Sequence, residues 1–163
     1  AQHEFFLKGN ETADGLTTEL FKLGGELLQE SLPQWQSGEL KSEPQDETKA
    51  SVTRKFERAD GLADWSLSAI ELERRVRAFT PWPGLFTNWN ESGLKILEVS
   101  IISSSSTEFV PGTVVGTNHP DVAAAVATSE GFSGLHTVQL EGKRAVDARD
   151  FLNGSPDFIG SQL

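Results

Sequence analysis

The stretch LFTNWNESGLKILEVSII, residues 85–102, decides the fold. Its two apolar runs, LFTNW and LKILEVSII, are rich in branched and aromatic residues, carry no helical period and flank the turn cluster NESG, so they read as strands. Toward the C-terminus the same pattern recurs in GTVVGT (112–117), VAAAVAT (122–128) and LHTVQL (135–140), separated by clusters such as TNHPD. Several short strands spaced in this way predict a small barrel or sandwich. DARDFLNG (147–154) is expected to form a short final helix, with Asp147 as its cap and Gly154 as its stop. The SSSST run at 103–107 reads as a loop.

Toward the N-terminus the period changes. SLSAIELERRVRAF (66–79) predicts a helix opened by Ser66 or by a Ser68 to Glu71 capping box, with Ala69, Leu72, Val76 and Phe79 on one face. Pro81 and Pro83 stop it. Farther back, TADGLTTELFKLGGELLQESL (12–32) places Leu16, Leu20, Leu23, Leu27 and Leu28 at helical spacing despite Gly24 and Gly25, which gives an amphipathic helix whose apolar stripe needs a partner surface. Between the two helices, PQWQSGELKSEPQDETK (33–49) is rich in proline, glycine and charge, as a linker or extended crossing segment would be. The expected organisation is a terminal helix at 1–33, a linker at 34–47 and a β-barrel domain at 48–163, with no internal repeat.

Composition narrows the function classes. A chain of 163 residues suits one ordinary domain, or one small domain plus the end of another. There is no cysteine, which excludes disulfides, thiolate metal sites and a cysteine nucleophile. No apolar run approaches the roughly 20 residues that span a bilayer. The start, AQHEFFLKGNE, lacks the basic opening and apolar centre of a signal peptide, so a cytoplasmic chain with no membrane partner is expected. There is no methionine, even at position 1, which suggests a fragment. The net charge of −10 argues against nonspecific polyanion binding, because phosphate contacts need Lys and Arg to release counterions. Any nucleic-acid role must rest on a local patch. Residues 66–93, with 3 basic and 3 acidic groups, are the least hostile to phosphate.

Four blocks carry a family resemblance: PQDET (44–48), DGLADWSLSAIELERRVRAFTPWPG (60–84), PGTVV (111–115) and LEGKRAVDARDFLNG (140–154). Singly, PWPG or GKR is a weak signal. In this order they resemble the signature of bacterial-type methionyl-tRNA formyltransferases from the linker to near the C-terminus, and ETADGLTTELFKLGGELLQESLP (11–33) resembles the segment that closes the family's N-terminal α/β domain. The resemblance implies a mainly β fold, an OB-like Greek-key barrel with flanking helices, preceded by a helix left over from a missing α/β domain. It implies that the cofactor, 10-formyltetrahydrofolate, is bound and used in that N-terminal domain by Asn, His and Asp side chains upstream of the segment matching residue 1. No catalytic residue or cofactor is therefore expected in this chain, which should be inactive alone. The implied partners are initiator Met-tRNA and the N-terminal formyltransferase domain, and the implied role is to position the tRNA for N-formylation in translation initiation. The C-terminal domain of another formyl-folate-dependent enzyme, or a stand-alone interaction module, are the alternatives; the GKR and DFLNG blocks favour the tRNA branch.

A barrel that holds tRNA needs cations facing phosphates and, less often, flat groups facing bases. The candidates are Arg74, Arg75 and Arg77 on the helix before PWPG, Lys143 and Arg144 in the loop after LHTVQL, and Lys95. Against the arginines stand two i,i+4 pairs, Glu71 with Arg75 and Glu73 with Arg77, each contributing about 0.2–0.5 kcal/mol to the helix. Arg74 has no such partner. Trp82, between two prolines, is expected to pack beneath the barrel, as are Trp65 and Phe79, while Trp35 and Trp89 lie in less apolar company and are expected to be partly exposed. His3, His119 and His136 are scattered, so no metal site is expected. Asp60 and Asp64 flank a turn and a helix start, where aspartate caps backbone N–H groups, and are read as caps rather than as an acid/base pair.

Overall fold

Leu85–Trp89 (β1) and Ser92–Ile102 (β2) form an antiparallel hairpin closed by Asn90 and Glu91, both at positive φ (47° and 62°). Two central residues at positive φ give the turn whose twist matches the strands it joins, and asparagine is one of the residues that tolerates it. In the computed structural model, which describes residues 1–103 and 108–163, this hairpin begins a six-stranded antiparallel sheet. Except for Ser103, the loop expected at 103–107 lies outside the described residues.

The other strands are Val114–Gly116 (β3), Ala124–Ala127 (β4), Phe132–Leu140 (β5) and Val146–Asp147 (β6), with order β1-β2-β5-β4-β3 and β6 paired to β5. One edge of β5 runs along β2; β4 takes Phe132–Leu135 of its other edge and β6 takes Thr137 and Val138. At two residues, β6 is too short to show a period, and the sequence did not predict it. Register shifts on either side of Glu98 mark a bulge in β2, where such features bend a strand. The outer edges are covered by chain rather than left open. Leu62 bridges Phe86 on β1, and at β3 the Val114 N–H donates to the Ser161 carbonyl (3.0 Å) while its own carbonyl accepts from the Gly160 N–H (2.8 Å).

Two helices pack on this sheet. Ala69–Phe79 (α2) buries Ala69, Leu72, Val76 and Phe79, the predicted face, against a core that includes Leu85, Leu94, Ile96, Val126 and Val138. The two sequence readings of its start resolve in favour of Ser68. The Ser68 hydroxyl accepts the Glu71 N–H (3.3 Å), and the Glu71 carboxylate accepts the Ser68 N–H (3.0 Å). Ala148–Gly154 (α3) starts where the Asp147 carboxylate accepts the Arg149 N–H (2.8 Å), as expected; Gly154 is its last helical residue and Ser155 takes the C-cap place, its N–H donating to the Leu152 carbonyl (3.2 Å).

Trp65 and Phe79 are buried as expected, but the two other tryptophans of this region exchange roles. Trp89 is buried because it shares the inward parity of β1 with Leu85 and Thr87. It meets Phe151 of α3 and Phe158 of the 3₁₀ turn Pro156–Phe158 edge-on, at centroid distances of 5.5 and 5.3 Å. Trp82 is 60% exposed, because the turn after α2 sends Pro83 and Leu85 inward and leaves the indole outside.

The chain divides into two units, Ala1–Phe56 and Glu57–Leu163. Strand predominates in the second; over the whole chain helix outnumbers strand, because Ala13–Ser37 (α1) in the first unit alone spans 25 residues. α1 starts where the Thr12 hydroxyl accepts the Gly15 N–H (3.2 Å) and runs past its expected end at residue 32, through Pro33. Gly38, at φ 78°, supplies the stop instead, by the left-handed conformation that glycine adopts without penalty. No residue of α1 is buried: Leu20 is exposed, and Leu23 and Leu27 are half-buried. Among the described residues, no helix is long and apolar enough to cross a membrane.

Candidate nucleic-acid interface

The six cations predicted from sequence fall into two groups. Arg77 donates twice to Glu73 through Nε (2.6 Å) and Nη2 (3.1 Å), a bidentate pair of half-buried side chains on α2. The other expected pair does not close, because the Glu71 carboxylate is taken by Ser68. Hydrogen bonds from the Ser68 hydroxyl and N–H hold the Glu71 carboxyl below the ordinary glutamate value of 4.5, with Arg75 and Arg74 adding to the effect. Asp64 is likewise held low, first by the Ser66 hydroxyl and N–H and then by Arg75. Arg74 is exposed and Arg75 half-buried, and both lie in the field of carboxylates. All three arginines thus share α2 with acids that offset their charge.

Lys95, Lys143 and Arg144 are exposed, and among the described residues none of them makes an ion pair. The sheet ties Lys95 to the turn that carries the other two. Lys95 lies between Phe86 on β1 and Gln139 on β5, its direct partners across the ladders, so the three side chains share one face. Gln139 then donates its Nε2 to the Lys143 carbonyl (2.8 Å) and ties the turn after β5 to that row. The turn itself is fixed by the Lys143 N–H on the Leu140 carbonyl (2.9 Å) and by Gly142 at φ 72°. Backbone bonding therefore sets the place from which Lys143 and Arg144 project.

Beside this row lies a cleft of about 310 Å³, lined by Arg58, Trp82, Phe86, Lys95, Gln139 and Glu141 among others. Arg58, in the 3₁₀ turn Arg58–Gly61, lies over the Phe86 ring at 5.8 Å. Such a contact holds a guanidinium over an aromatic face without neutralising it. The Glu141 carboxylate accepts the Gly93 N–H (3.1 Å) and is the acidic group of this lining. The sequence reading omitted Arg58 and placed Trp82 in the core. No local pattern marks Arg58, whose turn meets β1 through the distant Leu62–Phe86 bridge.

The remaining candidates act as caps. Asp60 accepts the Glu57 N–H (2.7 Å), and Asp64 accepts both the N–H and the hydroxyl of Ser66 (3.1 and 2.6 Å). His119 accepts the Asp121 N–H on Nδ1 (3.3 Å). Among the described residues, no group of three or more His, Asp or Glu could hold a metal ion.

Known proteins share both the sequence and the fold. The family model described as "Formyl transferase, C-terminal domain" matches residues 55–156. Methionyl-tRNA formyltransferase of Myxococcus xanthus is 43% identical over 153 residues, covering 94% of this chain and 47% of the relative. That of Roseiflexus castenholzii is 38% identical over 154 residues, covering 94% and 48%. That of Treponema denticola is 35% identical over 162 residues, covering 97% and 50%. The chain thus spans about half the length of the curated relatives it matches. Among solved structures, a variant of HypX from Aquifex aeolicus shares the fold at 16% identity and a TM-score of 0.64, over 95% of this chain and 28% of that one.

Proposed function

Because this chain belongs to the formyl transferase C-terminal domain family, we propose that it is the tRNA-holding part of a methionyl-tRNA formyltransferase, which positions initiator Met-tRNA in the cytoplasm for formylation by a separate N-terminal domain that uses 10-formyltetrahydrofolate. In this reading residues 1–33 belong to that N-terminal domain, 34–47 link it to the rest, and 48–163 hold RNA. The chain itself supplies position rather than chemistry.

One observation carries the proposal: Lys95 pairs with Gln139 across the ladder, Gln139 bonds the Lys143 carbonyl, and neither lysine nor the adjoining Arg144 ion-pairs to carboxylates of the described residues, on a protein of net charge −10. An unpaired cluster is what phosphates recruit, since each contact releases condensed counterions. The α2 arginines are the weaker candidates: leaving Glu73 would cost Arg77 two charged hydrogen bonds, and Arg74 and Arg75 lie in the field of Glu71, with Asp64 also beside Arg75. Acidity elsewhere makes the binding weak and strongly dependent on salt.

The test is titration of initiator tRNA into the chain at low ionic strength. Binding that weakens steeply with added salt, and more so in K143E/R144E, is the expected result. Absence of binding at low salt, or binding indifferent to that double reversal, overturns the proposal.

A further inference from the structure

The cleft beside Lys95 holds two flat groups that phosphate binding does not need. The Trp82 indole is 60% exposed, on a turn whose flanking Pro83 is buried and whose Gly84 N–H is bonded to the Phe79 carbonyl (2.8 Å). Leaving an indole in water costs apolar burial that this domain achieves for Trp65 and Trp89. The second flat group is the Arg58 guanidinium, which lies over the Phe86 ring at 5.8 Å.

We propose that this cleft is a stacking subsite for one unpaired nucleobase of the bound RNA, with Trp82 as the platform, Arg58 as a second flat contact and Lys95 at the flanking phosphate. The inference rests on the RNA-positioning reading above and deepens it. Three features select a base within an RNA chain. At about 310 Å³ the cleft lies at the low end of the range for small-ligand sites, roughly 300–1,000 Å³, so it admits a ring system and not a duplex. Its indole wall is open to solvent, whereas sites for free small molecules bury about 70–90% of the ligand; a base tethered to phosphates held at Lys143 and Arg144 needs less enclosure. Its charge suits a nucleotide, with Arg58 and Lys95 in the lining against one carboxylate, Glu141. An aromatic face receives any base, because every base has a π-face. The subsite therefore confers a preference for unpaired RNA over duplex rather than for one sequence.

Indole emission reports the subsite directly. Trp65 and Trp89 are buried, at 7% and 8% exposure, so in a Trp35→Phe background the exposed indole is that of Trp82. Initiator tRNA is expected to quench this emission and shield it from acrylamide, whereas a blunt-ended RNA duplex binds without quenching. W82A is expected to lose roughly 5- to 150-fold in tRNA affinity with the salt slope unchanged, and W82F to recover part of the loss. Circular dichroism and the unfolding midpoint of each variant, matched to the parent, show that the loss is local. If tRNA binds the parent but W82A binds it equally well, or if duplex quenches as strongly as tRNA, the subsite is wrong and the RNA-positioning reading stands. If no tRNA binds at low salt, both fail.

Discussion

Gly61→Ala tests how the cleft is built. Gly61 is buried at the end of the 3₁₀ turn that carries Arg58, and a Cβ added there would fall on the Gly84 carbonyl oxygen, far inside van der Waals contact. It would also lie 3.3 Å from the Gly84 carbonyl carbon and from Cδ1 of Phe86. Neither neighbour yields easily. The Gly84 N–H is bonded to the Phe79 carbonyl (2.8 Å), and Phe86 is held in the β1–β2 ladder opposite Lys95 while its carbonyl accepts the Ala63 N–H (2.8 Å). Relief requires the 3₁₀ turn to move away from the turn that carries Trp82. Overpacking of this kind costs about 1–3 kcal/mol. With a urea m-value of about 1–3 kcal/mol/M, the unfolding midpoint drops by on the order of 1 M. Urea titration followed by the emission of the buried Trp65 and Trp89 measures it. A midpoint within about 0.2 M of the parent would refute the close approach of Gly61 to Gly84, and with it the placement of Arg58 in the cleft.

Other outcomes follow from the same packing. Leu94→Ala, at a fully buried position of β2, should cost about 2–5 kcal/mol in chemical denaturation. Ser68→Ala removes the α2 cap and should cost about 0.5–2 kcal/mol. The Glu71 carboxyl is held below 4.5 by Ser68 first and by Arg75 and Arg74 after it, so its stabilising effect is complete above that pH and is lost as pH falls through the lower folded value. The stability gap between the parent and Glu71→Gln should therefore close on acidification below 4.5, as a series of urea curves at stepped pH will show. Gly24→Ala meets no atom within 4 Å and should raise helix content by circular dichroism, since alanine favours a helix interior by about 0.5–1 kcal/mol.

What the sequence made legible was local. The buried face of α2 follows from its 3.6-residue period, and the caps at Ser68 and Asp147 from residue types whose preferences act within one turn. The hairpin at Asn90 and Glu91 follows for the same reason. What escaped depended on parity and on distant pairing. Trp89 looked polar in its surroundings, yet its position on β1 sends it inward, while the proline-bounded turn puts Trp82 outward. Arg58 comes to the cleft on a turn that packs Gly61 against Gly84 and pairs Leu62 with Phe86, contacts no short window contains. The α2 arginines were identified as candidates, but whether Arg75 was already paired depended on Glu71 choosing Ser68 over it, a competition that residue spacing alone leaves undecided.

In the proposed reading, RNA phosphates meet Lys95, Lys143 and Arg144 rather than the arginines of α2. The slope of log affinity for initiator tRNA against log salt, measured for the parent and two triple variants, tests it most directly. Neutralising Lys95, Lys143 and Arg144 to glutamine should flatten the slope by about 0.7–0.9 for each phosphate that no longer meets a cation, while neutralising Arg74, Arg75 and Arg77 should leave it unchanged. A flattened slope in the α2 variant together with an unchanged one in the other would contradict the account.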